Sequence, residues 1–160
     1  METFSDSEGP DEGTLTGKLV QDFLATAAAD DLQILVAIED DILVGGAICS
    51  RPACDDGTNA FLMAPVAVRT SFRKKGIGQA LIASGLEHPR AMGVQLVMSY
   101  GDIYFYSKAG FATVAEETVP TPLPLSFPDG CIGQSLVGRE IRPLTGGTHC
   151  VPAIDNGAYG

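Results

Sequence analysis

The spacing of apolar residues changes several times along this chain, and each change marks an element. Leu15, Leu19, Val20, Phe23 and Leu24 fall at helical intervals, which predicts an amphipathic helix over about residues 14–28 with one stripe to bury. Gln33-Ile34-Leu35-Val36-Ala37-Ile38 and Ile42-Leu43-Val44-Gly45-Gly46-Ala47-Ile48 are β-rich runs split by Glu39-Asp40-Asp41, the pattern of an antiparallel hairpin with an acidic turn. Residues 51–59 read as a loop. Phe61-Leu62-Met63-Ala64-Pro65-Val66-Ala67-Val68 reads as a buried strand, and Pro65 within it marks a bulge or a lost ladder bond, because proline has no N–H to donate. Gly76 to about Glu87 is helical by pattern, with Ile77, Ala80 and Leu81 on one face and His88-Pro89 closing it. Val94-Gln95-Leu96-Val97-Met98 is a further short strand. Gly101-Asp102 caps a short helix carrying Tyr104, Phe105, Tyr106 and Lys108, stopped by Gly110, with Phe111-Ala112-Thr113-Val114 extended beyond it. From Pro120 onward, prolines punctuate short segments such as Ile132-Gly133-Gln134-Ser135-Leu136-Val137, and an irregular tail follows. No repeat or linker interrupts the series, and the order of strands stays open from pattern alone.

Composition adds the class. A chain of 160 residues with 45% hydrophobic content is long enough to bury a core of its own. One domain over 1–160 is expected, with its core at about 14–115 and a Pro-rich extension at about 116–160. No apolar run approaches the roughly 20 residues of a membrane helix, and Met1-Glu2-Thr3-Phe4-Ser5-Asp6-Ser7-Glu8 is acidic where a signal peptide is basic and then apolar. The expected location is cytoplasmic. A formal net charge of -10 disfavours attraction to nucleic acid or to an anionic membrane. Cys49, Cys54, Cys131 and Cys150 form no C-x-x-C pair, and His88 and His149 do not join them at zinc spacing. Reduced thiols and no metal are expected.

Against this acidic background, four of the ten lysines and arginines, Arg69, Arg73, Lys74 and Lys75, fall within seven residues and run into Gly76-Ile77-Gly78 at the head of the second predicted helix. Glycines admit close backbone approach, a helix start carries unpaired N–H donors, and adjacent cations complete an anion site whose natural guest is a phosphate or pyrophosphate. The bland alternative is a solvated basic run. The sequence lacks the G-x-G-x-x-G of a dinucleotide fold and the Gly-Lys-Ser/Thr of a P-loop.

Val66-Ala67-Val68 followed by Arg73-Lys74-Lys75-Gly76-Ile77-Gly78 and then Ala80-Leu81 resembles motif A of the GCN5-related N-acetyltransferases (GNAT), whose core is Arg/Gln-x-x-Gly-x-Gly/Ala. Tyr106-Ser107-Lys108-Ala109-Gly110-Phe111 is similar to the later Tyr-x-x-x-Gly-Phe motif of that family. Gly101-Asp102 ahead of it resembles a predicted-acetyltransferase subgroup with a Gly-Asp-Pro-x-Tyr-Tyr-x-x-x-Gly-Phe signature, and Pro128-Asp129-Gly130 with Gly133-Gln134-Ser135-Leu136 looks like a tail of the same subgroup. Ile103 stands where the subgroup favours proline and Cys131 where it favours tryptophan. Only 13 residues precede the first predicted helix, so the resemblance implies an N-terminally shortened fold.

The resemblance implies an α/β (α+β) domain with a mixed, mostly antiparallel sheet flanked by helices. Its strand at 61–68 splays from the strand at 94–99 to admit acetyl-CoA. It places the pantetheine arm along Val66, Ala67 and Val68, and the pyrophosphate on Arg73, Lys74, Lys75, Gly76, Ile77 and Gly78, with Gln79 and Ala80 closing the cofactor-binding set and Arg69 or Lys74 meeting the adenosine phosphates. It makes Tyr106 the residue that protonates the departing CoA thiolate, the alternative being an aromatic that packs against the cosubstrate. An amine nucleophile also needs a base. Asp102 and Glu8 are the nearest plausible acids, Asp102 serving equally well as a helix cap, and neither is singled out. The expected function is transfer of acetyl from acetyl-CoA to a primary amine of a small molecule, peptide or protein, against the alternative of an acyl-CoA-binding or interaction domain. The bare edge of the strand at 33–38 also suggests a homodimer.

Overall fold

A computed structural model of the chain describes residues 27–120, 131–138 and 140–149, together with Lys18, Val20, Gln21, Asp22, Leu24 and Ala25. Leu15, Leu19, Phe23, Glu8, Pro128-Asp129-Gly130 and Cys150 lie outside the described residues. The strands are β1 (Leu32–Glu39), β2 (Ile42–Ser50), β3 (Ala53–Cys54), β4 (Ala60–Val68), β5 (Leu96–Tyr100), β6 (Ala112–Thr113), β7 (Cys131–Ser135) and β8 (Thr148–His149). The helices with full bounds are α1 (Ile77–Ala91) and α2 (Ile103–Tyr106), and Lys18, Val20, Gln21, Asp22, Leu24 and Ala25 are helical as the first apolar stripe predicts.

Six strands form one sheet in the order β1-β2-β4-β5-β7-β6, mixed and mostly antiparallel, and β3 with β8 makes a separate two-stranded ribbon. β1 and β2 are the expected hairpin. Asp40 and Asp41 hold left-handed φ of 50° and 61°, the two-residue turn whose twist matches the flanking strands and which aspartate tolerates better than most side chains. The ribbon corrects the expectation of a plain loop over 51–59: Ala53 and Cys54 pair with His149 and Thr148.

β2 and β4 run antiparallel from Gly45↔Val68 to Ser50↔Leu62, with a register shift between Ala47 and Cys49. Opposite that shift lie Ala64 and Pro65, so the strand is deformed at the proline. One core cluster takes Phe61 and Met63 from β4 before the shift and Val66 after it, while the other takes Leu62 and Ala64. The extra residue has turned the strand's faces over by one position.

The helix α1 outruns its expected end. Pro89 lies inside its last turn, buried, and its carbonyl accepts from the N–H of Met92 at 3.2 Å and of Val94 at 2.9 Å, so the turn closes around the proline. Its buried stripe is Gly78, Leu81, Ile82, Gly85, Leu86 and Pro89, and Ala80, expected beside Ile77 and Leu81, points to solvent. The helix covers the sheet face carrying Cys49, Phe61, Met63, Val97 and Ile132. The opposite face, with Ile48, Leu62, Leu96, Met98 and Val114, is covered by Val20, Ala27, Ile141 and Leu144. β5 begins and ends two residues later than expected, and its alternation of Leu96 and Met98 against Val97 is that of a strand buried on both sides.

Candidate active site

The parallel pairing of β4 with β5 covers three steps, Ala60↔Leu96, Phe61↔Val97 and Leu62↔Met98. β5 pairs with β7 on its far side through Tyr100↔Cys131, whereas β4 continues along β2 to Val68. The two central strands therefore fork beyond Leu62. The edge of β4 that faced β5 carries Ala64 to Val68 without a ladder to β5, a line of main-chain groups fitted to pair with an extended ligand. Val66, Ala67 and Val68 lie along it.

At the far end of β4 the chain turns through Thr70–Phe72 into α1. Lys74 has φ 64° and Gly76 φ 83°, and a Cβ built on Gly76 would meet nothing within 4 Å. Gly76 is the N-cap of α1 and offers no side chain, so no capping side chain takes up the N–H groups of the first turn, and the positive end of the helix dipole lies behind them. A helix start of this kind can receive an anion on its backbone donors, and the space at Gly76 is open. Arg69, Arg73 and Lys74 are exposed around it. Lys75 is turned to the hairpin instead: its Nζ lies 3.2 Å from Glu39 Oε1 and 4.6 Å from the centroid of the Phe72 ring.

The second motif is drawn onto the first. Asp102 caps α2, accepting from the Tyr104 N–H at 2.9 Å. Gln79 Nε2 donates to the Phe105 carbonyl at 2.8 Å, and a Cβ on Gly78 would lie 2.7 Å from the Phe105 ring. Gly78 is thus required less by an anion than by the aromatic that packs on it. Phe105 in turn meets Tyr106 edge-on at 5.5 Å, and Tyr106 meets Phe111 the same way at 5.5 Å.

Tyr106 is buried, only 7% exposed. Ser99, which lies near the Tyr106 hydroxyl, donates from Oγ to the Met63 carbonyl at 2.6 Å. Met63 and Ser99 are the residues immediately past the last parallel pair, and Tyr106 is buried in the same cluster as Met63. Burial pushes the Tyr106 pKa above the ordinary tyrosine value, Ser99 opposes that shift, and the neighbouring Cys49 adds to it. Cys49 itself is pushed up to about 12 by burial. The thiols of Cys54 and Cys131 are also raised, by burial first and then by Asp56 and Asp55 for the one and by Glu116 for the other. All three are free thiols held protonated.

The structure therefore brings together Val66, Ala67, Val68, the loop from Arg73 to Gly78, and Tyr106, with Gln79 linking loop to motif and Ala80 turned away. Ser99 and Phe105 are what the sequence reading did not assign. A serine in the otherwise apolar run before Tyr100 was the available signal, since a buried hydroxyl has to find a partner. A separate groove of about 620 Å³, lined by Gly110, Thr113, Gln134 and Ser135 among others, lies beside β6 and contains none of the expected site residues. Among the described residues no group of three or more His, Cys, Asp or Glu could hold a metal ion, and no helix is long and apolar enough to cross a membrane.

Comparison with known proteins gives the same reading of the fold. Residues 30–113 match the family model described as an acetyltransferase (GNAT) domain. The chain is 33% identical over 100 residues to a protein of Escherichia coli (strain K12) named uncharacterized N-acetyltransferase YjhQ, covering 61% of this chain and 55% of that one. It is 26% identical over 119 residues to the mycothiol acetyltransferase of Propionibacterium freudenreichii subsp. shermanii, covering 71% of this chain and 38% of the relative. The chain thus spans about half the length, or less, of these curated relatives. Among solved structures, the Escherichia coli GNAT family N-acetyltransferase YhbS in complex with CoA superposes with a TM-score of 0.75 at 24% identity, over 91% of this chain and 79% of that chain. A GNAT family acetyltransferase from Brucella melitensis in complex with acetyl-CoA gives 0.71 at 23% identity, over 96% and 86%. With the forked sheet, the glycine-headed helix and a family match over more than half of its length, the chain belongs to the GNAT acetyltransferase family.

Proposed function

We propose that this protein is an N-acetyltransferase that moves the acetyl group of acetyl-CoA to a primary amine by direct attack. The observation that carries the reading is that the β4 edge leaving β5 past Leu62 runs toward the N-terminus of α1, with its exposed cations, while the buried phenol of Tyr106 packs on Phe105, which contacts the first turn of α1. Val66, Ala67 and Val68 would hold the pantetheine amides. The loop from Arg73 to Gly78 would hold the pyrophosphate, with Gln79 and Ala80 beginning the helix behind it and Arg69 or Lys74 at the adenosine phosphates. Acetyl-CoA supplies an activated thioester. The neutral amine nitrogen adds to its carbonyl carbon, the C–S bond breaks, and the sulfur leaves as a thiolate that takes the proton of Tyr106 O–H. The amine gives up one proton to a base or to water. Among the described residues, Cys49, Cys54 and Cys131 all have raised pKa values, which favours direct attack over an acyl intermediate on any of these three.

The Gly101-Asp102 lead into α2 supports placing the chain in the subgroup with the Gly-Asp-Pro-like signature, with Ile103 as a departure. The net charge of -10 favours a cationic amine acceptor and opposes a nucleic-acid partner. Thiol release from acetyl-CoA across a panel of primary amines tests the activity. Amine-dependent CoA release is the expected result. Tight acetyl-CoA binding with no amine-dependent release would make the protein a binding domain instead.

A further inference from the structure

We propose that Gln79 is a positioning residue of this site, holding the main chain of α2 by the Phe105 carbonyl so that the Tyr106 ring keeps its place, an inference that rests on the acid role proposed for Tyr106 and goes beyond it.

α2 is too short to hold its own place. It is one turn, Ile103–Tyr106, continued by a 3-10 turn over Ser107–Ala109, and a helix of that length gains too few hydrogen bonds of its own to offset the ordering of its backbone. Its start is fixed locally, where the Asp102 carboxylate accepts from the Tyr104 N–H at 2.9 Å. A local cap orders the turn without deciding where the turn sits on the domain. That is decided in part by α1, a helix of 15 residues whose buried stripe belongs to the core.

Two consecutive residues of α1 hold Phe105. Its ring lies against Gly78, where a Cβ would come within 2.7 Å of it, and Gln79 Nε2 donates to its carbonyl at 2.8 Å, across 26 positions of sequence. A carbonyl oxygen only accepts, so the carboxamide must present its NH2 group there. The carbonyl of Phe105 and the N–H of Tyr106 belong to one planar peptide group. That N–H donates to the Asp102 carbonyl at 3.1 Å. The peptide leading into Tyr106 is therefore held from both sides, by Asp102 on its nitrogen and by Gln79 on its oxygen. With the plane fixed, the Tyr106 Cα is fixed, and Phe105 and Phe111 then meet the ring edge-on at 5.5 Å each. Loss of the Gln79 bond frees the oxygen side alone. A displacement of about 1 Å at an acid can cost up to about a hundredfold in rate, with the residues proposed to hold the cosubstrate left in place.

The test is a double-mutant cycle in the full chain, with kcat measured at saturating acetyl-CoA on the amine of the panel that turns over fastest and CoA affinity measured by calorimetric titration. Gln79→Met keeps the length of the side chain and removes its donor. It should lower kcat by about tenfold and leave CoA affinity within about twofold, whereas the same change in a Tyr106→Phe background should move kcat by less than about twofold. Gln79→Lys, which keeps N–H donors on a side chain of similar reach, should hold kcat within about threefold of wild type. Equal fold-losses for Gln79→Met in both backgrounds would overturn the proposal, as would a wild-type kcat, a Gln79→Lys loss as large as that of Gln79→Met, or a CoA affinity that falls as far as kcat and makes Gln79 a cosubstrate contact. If Gln79→Met does not fold, Gln79→Ala takes its place in the cycle with the same expected split. A Tyr106→Phe variant at wild-type rate would instead remove the acid role itself, and no turnover with any amine would remove the activity, so these failures are distinguishable from that of Gln79.

Discussion

Gly76 separates the electrostatics of the proposed phosphate site from its sterics. At φ 83° the residue sits in the left-handed region, and nothing lies within 4 Å of a Cβ built there. Any replacement therefore meets strain but no clash, and Asn and Asp are the side chains that bear that strain most easily, at roughly 1–2 kcal/mol or less. The two are nearly the same shape. Their difference isolates one negative charge at the mouth of the α1 N-terminus, where the CoA pyrophosphate is proposed to lie. Two unit charges about 4 Å apart repel by about 1 kcal/mol in water and about 4 kcal/mol at an effective dielectric of 20. At about 1.4 kcal/mol per tenfold, Gly76→Asp should bind CoA roughly fivefold to several hundredfold more weakly than Gly76→Asn. Calorimetric titration of both variants with CoA measures the ratio directly. Screening supplies a control: the ratio should shrink as ionic strength rises, because the Debye length falls from about 10 Å at 0.1 M salt to about 3 Å at 1 M. Equal CoA affinity for the folded Asp and Asn variants at low salt would refute the phosphate assignment.

Three further outcomes are expected. Gly78→Ala puts a methyl 2.7 Å from the Phe105 ring, which is 36% exposed and can swing outward, so the fold should survive while turnover falls more than acetyl-CoA affinity through the shifted contact with Tyr106. Steady-state kinetics on the purified variant reads the split, and an unchanged kcat would show that Phe105 does not set Tyr106. Asp55 is held below the usual carboxylate range by the Gly147 N–H and by the His149 ring, 2.8 Å away, so its contribution to stability is present above about pH 3.9 and is lost as pH falls through its lowered folded value. Melting curves should show a shallower acid decline for Asp55→Asn, and identical slopes would remove the linkage. Ile34, Val36 and Ile38 are 46%, 58% and 63% exposed along β1 at the end of the sheet order, so we propose that this edge pairs two copies, with Val36→Lys dissociating them in sedimentation velocity. A wild-type monomer at all concentrations would count against that pairing.

What could be read from the chain was what local chemistry dictates. The alternation in 33–38 and 42–48 and the turn-compatible aspartates give the hairpin without help from any distant residue. Pro65 announces a defect because it lacks an N–H wherever it is placed, and Gly76 with its neighbouring cations announces an anion site because backbone donors at a helix start need no tertiary partner. Asp102 before Ile103 caps its helix on the same local ground. What the tertiary structure alone decided depends on residues far apart in sequence. Pro89 stays inside α1 because the core buries it and Val94 closes on its carbonyl, which a local breaker rule does not see. Cys54 pairs with Thr148, and Lys75 turns to Glu39 rather than staying with the cations beside it. Above all, the fork exists because β5 leaves β4 after three paired residues, and the Met63–Ser99 bond that spans it joins positions 36 apart in the chain. Periodicity reports which way a side chain faces along its own segment. Register between segments, and therefore which hydroxyl meets which carbonyl, is set only when the sheet closes.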